Sequence, residues 1–231
     1  MLEILNNYGL ILLIGEYPHG PLGGLAMTLI LAASALLLSF PLAILVGIAR
    51  TAPLIAVARL AALYANTIRG LPLLLLVFWA YFAVPMLFGK SINATVVMLG
   101  ALIVYESAYL GEIVRAGIVS LPRGQQEAAR TLGMGYWTTL RKVILPQALY
   151  NMIPSMMNQF VVVVKNTSLA YVIGVDELTN AAYQVNSQLL TKPFEVYALL
   201  AMTYFVVCFL LSRSVEAVER RITRNRRSRP S

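Results

Sequence analysis

Five apolar runs, at about 25–48, 71–88, 94–114, 153–173 and 196–211, constrain this 231-residue chain more than any other feature. The hydrocarbon core of a bilayer is about 30 Å thick and a helix rises about 1.5 Å per residue, so roughly 20 apolar residues in a row cross it. The first run follows Pro21, Gly23 and Gly24 and holds no charge. Pro72 heads the second, where a first-turn N–H has no helical acceptor and its loss does little harm. With 59% hydrophobic and only 12% charged residues, the chain lacks the polar surface to cover a water-soluble globule. The expected fold is therefore all-α and integral to a membrane, with five transmembrane helices in a single domain over 1–231.

Composition also removes several chemistries. A single cysteine, Cys208, excludes a disulfide framework and a cysteine zinc cluster. The single histidine, His19, lies in a Pro/Gly-rich loop, which excludes a histidine metal site and argues against a Ser-His-Asp triad. Neither a metal site nor a catalytic residue is expected.

Positive charge orients the spans. Arg50, Arg59 and Arg69 follow the first run; Arg115, Arg123, Arg130, Arg141 and Lys142 follow the third; Arg213, Arg220, Arg221, Arg224, Arg226, Arg227 and Arg229 follow the fifth. Only Lys90, Lys165 and Lys192 fall on the other side. Cytoplasmic connections carry the Lys and Arg excess, so the N-terminus is expected outside and the C-terminus in the cytoplasm. The basic tail 213–231 reads first as an orientation and stop-transfer signal, and it also suits anionic lipid. Met1–Gly15, apolar but with Asn6 and Asn7 embedded, lacks the basic start and small-residue cleavage site of a signal peptide. It is expected to lie on the membrane as an amphipathic segment and is too short to favour as a sixth span.

The connection between the third and fourth runs is not lipid-like. Pro122 and Gly124 end the preceding helix, Gln125–Leu132 are good helix formers, and Gly133 suits the position just past a helix end, where positive φ favours glycine. A second short helix is expected at Tyr136–Lys142, with Pro146 opening the next span. Residues 121–142 thus read as a hairpin with a glycine elbow facing the cytoplasm. Its apolar residues Ala128, Ala129, Leu132 and Trp137 suit either a membrane surface or a partner's groove, and Glu127 is an acid in a basic stretch, suited to a positive partner.

Glu127-Ala128-Ala129, then Gly133, then Val143-Ile144-Leu145-Pro146 resembles the EAA motif of ABC-importer permeases, which runs Glu-Ala-Ala, three residues, Gly, nine residues, Ile-x-Leu-Pro. Every spacing matches, and Val143 replaces the Ile. Arg69-Gly70-Leu71-Pro72 and Lys165-Asn166-Thr167-Ser168-Leu169 resemble stretches of the polar amino-acid subfamily, where Arg-Gly-Thr-Pro and Lys-Asp-Thr-Ser-Leu are common. Ser107–Ile118 is similar too, so the resemblance covers about 20–211. It implies a multi-pass permease domain of a bacterial inner (cytoplasmic) membrane. The ATPase-coupling residues would be Glu127, Ala128, Ala129, Leu132, Gly133, Leu145 and Pro146. Implied partners are two ATP-binding subunits, a second permease chain, an extracytoplasmic solute-binding protein, membrane lipid and an amino-acid substrate, with no nucleic acid. No cofactor is expected in this chain; ATP and Mg2+ would sit on the partner ATPase subunits. Gly89-Lys90-Ser91 is no P-loop, because Val84 stands where a glycine is needed.

Polar residues within the runs are the substrate-pathway candidates, since such groups rarely face lipid. Glu112 and Arg115, three apart, can pair on one face of the third span. Glu106 has no partner three or four residues away, so it is either protonated or meets a cation, a donor or water. It belongs equally to a pathway or to a structural hydrogen bond. Tyr109 and Gln159 lie in the same class of position. Lys165, Asn166, Thr167 and Ser168 end the fourth run: a Lys with hydroxyl and amide donors suits a carboxylate, whereas an outward-reaching Lys with hydroxyls bonded to helix carbonyls is the plain structural reading. Asn166 in place of Asp tilts the expected substrate towards acidic or neutral amino acids, glutamate- or aspartate-like among them. The expected function is alternating-access import of a polar amino acid. An ion-coupled secondary amino-acid transporter, with Glu106 as its proton site, is the alternative; it calls for inverted repeats, and none is visible. A membrane enzyme lacks clustered catalytic groups.

Overall fold

A computed structural model of the chain describes residues 2–89 and 92–227. Lys90 and Ser91 of the expected outer loop, and Arg229 of the basic tail, lie outside the described residues, as do the side chains of Arg221, Arg224, Arg226 and Arg227. Ten α-helices follow one another among the described residues: α1 Leu2–Ile14, α2 Gly24–Arg50, α3 Ile55–Gly70, α4 Leu73–Phe88, α5 Ala94–Val119, α6 Arg123–Thr131, α7 Tyr136–Thr139, α8 Leu145–Asn166, α9 Leu178–Leu189 and α10 Pro193–Arg227. A π-helical turn, Leu140–Ile144, leads into α8 and a 3-10 stretch, Thr167–Ile173, leaves it.

Among the described residues three helices are long and apolar enough to cross a membrane: α2, α5 and the Pro193–Arg220 part of α10. The α3–α4 pair, bent by 100° at its break, makes a fourth if taken as one broken span. The break follows from Pro72, which has no N–H and biases Leu71 away from helical backbone. α8 has 22 residues but is diluted by Gln147, Asn151, Asn158 and Gln159, and does not reach the apolarity of the other three. The expected five spans are thus matched by three or four.

Other boundaries also differ from the sequence reading. Residues 55–70, expected as an inner connection, form α3, because Ala- and Leu-rich spacing tolerates Arg59 and Arg69 on its surface. The expected fourth run at 153–173 begins earlier, at Leu145, and its last seven residues wind into the 3-10 stretch that stops at Gly174, φ +78°. Pro146 does not interrupt the chain: with no N–H of its own it leaves a gap in the helical ladder, and the π turn before it lets the Leu145 N–H reach back to the Leu140 carbonyl. The second hairpin helix is therefore four residues of α7 merging into α8, rather than a separate helix to Lys142. α10 continues without a break from the fifth run into the basic tail.

The chain forms two compact units. The first comprises Met1–Leu37, Leu71–Ile103 and Phe160–Ser214; the second comprises Leu38–Gly70, Val104–Gln159 and Val215–Ser231. In the first, α1 is more than a surface segment: Ile4 and Leu12 are buried with Leu178, Ala181, Ala182 and Val185 of α9 and with Val196 and Leu199 of α10. Leu10 and Leu13 stay exposed. Glu177 caps α9, accepting from the N–H groups of Thr179 and Asn180 at 2.9 and 3.0 Å and from the Tyr204 hydroxyl at 3.0 Å. In the second unit, Val114, Ile118, Leu140, Ile144, Ala148 and Met152 make the core beneath the hairpin. Gly47 and Gly111 let α2 and α5 meet there: a Cβ on Gly47 would come within 2.4 Å of Val114.

Candidate functional site

The hairpin is built in the second unit. α6 ends in a complete Schellman arrangement: the Gly133 N–H donates to the Arg130 carbonyl at 2.9 Å and the Met134 N–H to the Ala129 carbonyl at 3.0 Å. Gly133 carries φ +76°, as its place in the sequence predicts. The Gln147 amide donates to the Gln125 side chain at 3.4 Å and to the Val143 carbonyl at 2.7 Å, which ties α6 to the start of α8. Leu140 and Ile144 anchor the π turn in the core. The elbow is thus mounted on packed helix rather than hung from a loose loop.

Of the candidate coupling residues, Glu127, Ala128, Leu132, Gly133 and Pro146 are exposed and Leu145 is half-buried. Ala129 differs: it is 3% exposed and turned into the chain, so its small side chain lets α6 pack close and does not project. Leu132, 80% exposed, and Trp137, 69% exposed with its ring edge-on to Tyr136, stand out as exposed apolar groups. Beside them lies a cleft of about 220 Å³ lined by residues that include Thr51, Gln126, Arg130 and Tyr136. Burial pushes the Tyr136 hydroxyl up, and its hydrogen bond with Thr51 opposes this.

The candidate pathway residues fall into two groups. In the second unit Glu106 is fully buried, and the Gln159 amide donates to its Oε2 at 2.8 Å. Two candidates from distant parts of the sequence therefore meet. Tyr109, half-buried, shares a hydroxyl contact of 3.1 Å with Tyr105 and donates to the Arg69 carbonyl at 3.4 Å. In the first unit Lys165 is exposed and Asn166 is half-buried. The Thr167 hydroxyl donates to the Val164 carbonyl and the Ser168 hydroxyl to the Lys165 carbonyl, both at 2.7 Å. Thr167 is fully buried and Ser168 half-buried, so the hydroxyls bond helix carbonyls as the structural reading expects.

The Glu112–Arg115 pairing is present, Arg115 Nε and Nη2 donating to Oε1 at 2.9 and 2.5 Å. The sequence did not disclose that Arg50 and Arg69 also pair with Glu112. Both arginines are remote in sequence, and no local spacing signals a contact made by folding α2 and α3 against α5.

The family described as "Binding-protein-dependent transport system inner membrane component" matches residues 39–224. Over 216 residues the chain is 39% identical to the "Probable glutamine ABC transporter permease protein" of Bacillus subtilis (strain 168), covering 91% of this chain and 99% of that one. It is 31% identical to the "Glutamate/aspartate import permease protein" of Escherichia coli O6:H1, covering 87% and 92%. A solved structure described as an amino acid ABC transporter aligns with a TM-score of 0.78 at 36% identity, over 86% of this chain and 92% of the other. A methionine ABC transporter in an inward-facing conformation shares the fold at 24% identity and a TM-score of 0.62, over 84% and 91%. The elbow and its mount lie inside the matched stretch, and the chain therefore belongs to the family of inner membrane components of binding-protein-dependent transport systems.

Proposed function

We propose that the chain is the membrane-spanning permease subunit of an ATP-driven importer for polar amino acids, working by alternating access. The observation that carries this reading is the elbow: Leu132, Trp137 and Glu127 are offered to a partner on a mount continuous with α8 and packed against α5. A partner that moves the elbow moves helices, because packed cores transmit displacement rather than absorb it. Relatives named for glutamine, cystine and glutamate/aspartate transport support amino-acid cargo. Asn166 beside Lys165 favours acidic or neutral amino acids over cationic ones.

In this reading the chain crosses the bacterial inner membrane five times. The spans are α2, the broken α3–α4 pair, α5, α8 with its 3-10 extension, and α10. The N-terminus lies outside, and hairpin 121–142 and the basic tail lie inside. Glu127, Ala128, Leu132 and Gly133 meet an ATP-binding subunit, while Ala129, Leu145 and Pro146 shape the mount. Glu106, Tyr109, Gln159, Lys165, Asn166, Thr167 and Ser168 line the substrate's route. Two ATP-binding subunits carrying ATP and Mg2+, a second permease chain and an extracytoplasmic binding protein complete the machine. The comparisons do not favour the ion-coupled secondary transporter.

The test is uptake by proteoliposomes holding the complex purified from native membrane. Uptake of glutamine or glutamate that needs enclosed ATP and a co-purifying ATPase supports the reading. Uptake by the isolated chain on an ion gradient alone would refute it.

A further inference from the structure

α10 is matched to a bilayer at both ends. Lys192 stands just before its start, and Arg213 follows after an apolar stretch that at about 1.5 Å per residue is about 30 Å long, the thickness of the hydrocarbon. Along that stretch the helix has two faces. Val196 and Leu199 are buried with residues of α1 and α9, and Leu200 and Tyr204 pack against them. Met202, Phe205, Val206, Phe209, Leu210 and Arg213 recur on the other face at helical spacing, and all are exposed.

The Phe205 and Phe209 rings stack on that face, their centroids 5.8 Å apart and their planes 22° from parallel, which makes a flat apolar track along the helix. The track ends on a charge. The Arg213 guanidinium carbon lies 5.3 Å from the Phe209 centroid, so the side chain leans back towards the N-terminal end of α10. With the C-terminus inside, that direction is towards the bilayer, and it sets the guanidinium at the depth of the inner-leaflet phosphates. A stop-transfer signal needs only some basic residues after the span. Here the ring restrains the plane of a donor fork that matches phosphate oxygens in bidentate geometry. The residues that follow select the headgroup: from Arg213 onward the sequence has seven arginines against two glutamates. That excess favours a lipid of net negative charge over a zwitterionic one, whose own cation it repels.

We propose that the exposed face of α10 is a site for an anionic phospholipid of the inner leaflet, with an acyl chain along Phe205 and Phe209 and the phosphate on Arg213. This rests on the topology proposed above, in which α10 is a span and the C-terminus lies inside. The lipid supplies a counter-ion where water thins out, and it ties the inner end of α10 to the plane of the headgroups.

The experiment delipidates the complete importer in detergent, titrates it with phosphatidylglycerol or phosphatidylcholine, and counts bound lipid by native mass spectrometry. The variants are Arg213→Gln, Arg213→Lys, Phe209→Ala and, as control, Arg59→Gln, which removes the same charge from an exposed position on α3. The expected result is half-saturation of the wild type at a phosphatidylglycerol concentration at least fivefold below that for phosphatidylcholine. Arg213→Gln should lose that preference at least threefold, Arg213→Lys and Phe209→Ala should lose part of it, and Arg59→Gln should keep it. A wild type without the preference, or an Arg213→Gln variant that keeps it, overturns the site. Equal losses in Arg213→Gln and Arg59→Gln would make the binding a matter of overall charge, and the site fails again. In a Cys208→Ser background, a thiol at Met202 that cross-links to a permease chain would show protein on this face in place of lipid, which also refutes the proposal. A thiol at Ser214 labelled by impermeant reagent from outside intact cells would instead overturn the topology beneath it.

Discussion

Gly133 gives the sharpest handle on the elbow. Its φ of +76° lies where side chains with a Cβ are disfavoured, yet a Cβ there would meet no other atom within 4 Å. The cost of Gly133→Ala is therefore a backbone cost alone, about 1–2 kcal/mol. That corresponds to a factor of about 5–30 in the population of the opened elbow. Asn visits this backbone region more readily, so Gly133→Asn costs less than Ala. Gly133→Pro is of another order: proline holds φ near about −65° and removes the N–H that donates to the Arg130 carbonyl. Amide hydrogen exchange at Leu132 and Met134 reads the opening directly. Exchange should quicken in the order Gly, Asn, Ala, Pro, and ATP-driven uptake should fall in the same order, with Gly133→Pro inactive though still inserted in the membrane. Asn and Ala variants that exchange at the wild-type rate would show that positive φ does not shape the elbow, and full uptake by Gly133→Pro would show that its shape does not matter.

Three further outcomes are expected. Glu127→Lys reverses an exposed charge at the elbow and should abolish uptake while leaving insertion and thermal stability unchanged, as membrane fractionation and a melting curve would report. Burial pushes the Glu177 carboxyl up to about 7, against the opposing N–H groups of Thr179 and Asn180 and the Tyr204 hydroxyl. The folded state thus holds the proton more tightly than the unfolded one: stability is full below about pH 4.5 and declines as pH rises through 7, by on the order of 3 kcal/mol. The melting temperature in detergent should fall across that window, and Glu177→Gln should flatten the dependence; a flat wild-type profile would count against it. Gly47→Ala should destabilise by about 1–3 kcal/mol, because the new Cβ meets the stiff Val114 side chain and stands 2.9 Å from the Gly111 carbonyl. Gly117→Ala should cost less than about 1 kcal/mol, since the Met152 side chain it meets can swing away. Equal losses in thermal unfolding would contradict that difference.

Much of the helical order was legible in composition and spacing. Uninterrupted apolar runs announce α2, α5 and the first half of α10, and Gly133 announces the end of α6. The misses have physical causes. α3 has a mixed surface and follows basic residues, so charge made it look like a connection. Pro146 stands at the start of α8 as its place in the sequence suggests, but the π turn before it carries the helix on, so the second hairpin helix merges into α8. α9 is too short and polar to stand out, and it is held by Glu177 and by α1 rather than by its own periodicity. Among the candidate site residues, Glu112–Arg115 was visible because its partners are three apart. The Glu106–Gln159 bond and the approach of Arg50 and Arg69 to Glu112 span long stretches of sequence, and only folding brings them together. Ala129 belongs to the EAA-like triplet by sequence yet faces inward, because on a helix one of two adjacent residues turns towards the core.

The proposed coupling puts an ATP-binding subunit against the elbow. Cys208 is the one native cysteine, so a Cys208→Ser background carrying Glu127→Cys offers a single thiol at the elbow. The predicted result is a cross-link from that thiol to an ATP-binding subunit, with a yield that changes on ATP addition and uptake that stops once the link forms. A thiol reached only by membrane-impermeant reagent from outside intact cells, or left unlinked and freely labelled while uptake proceeds, would contradict the account.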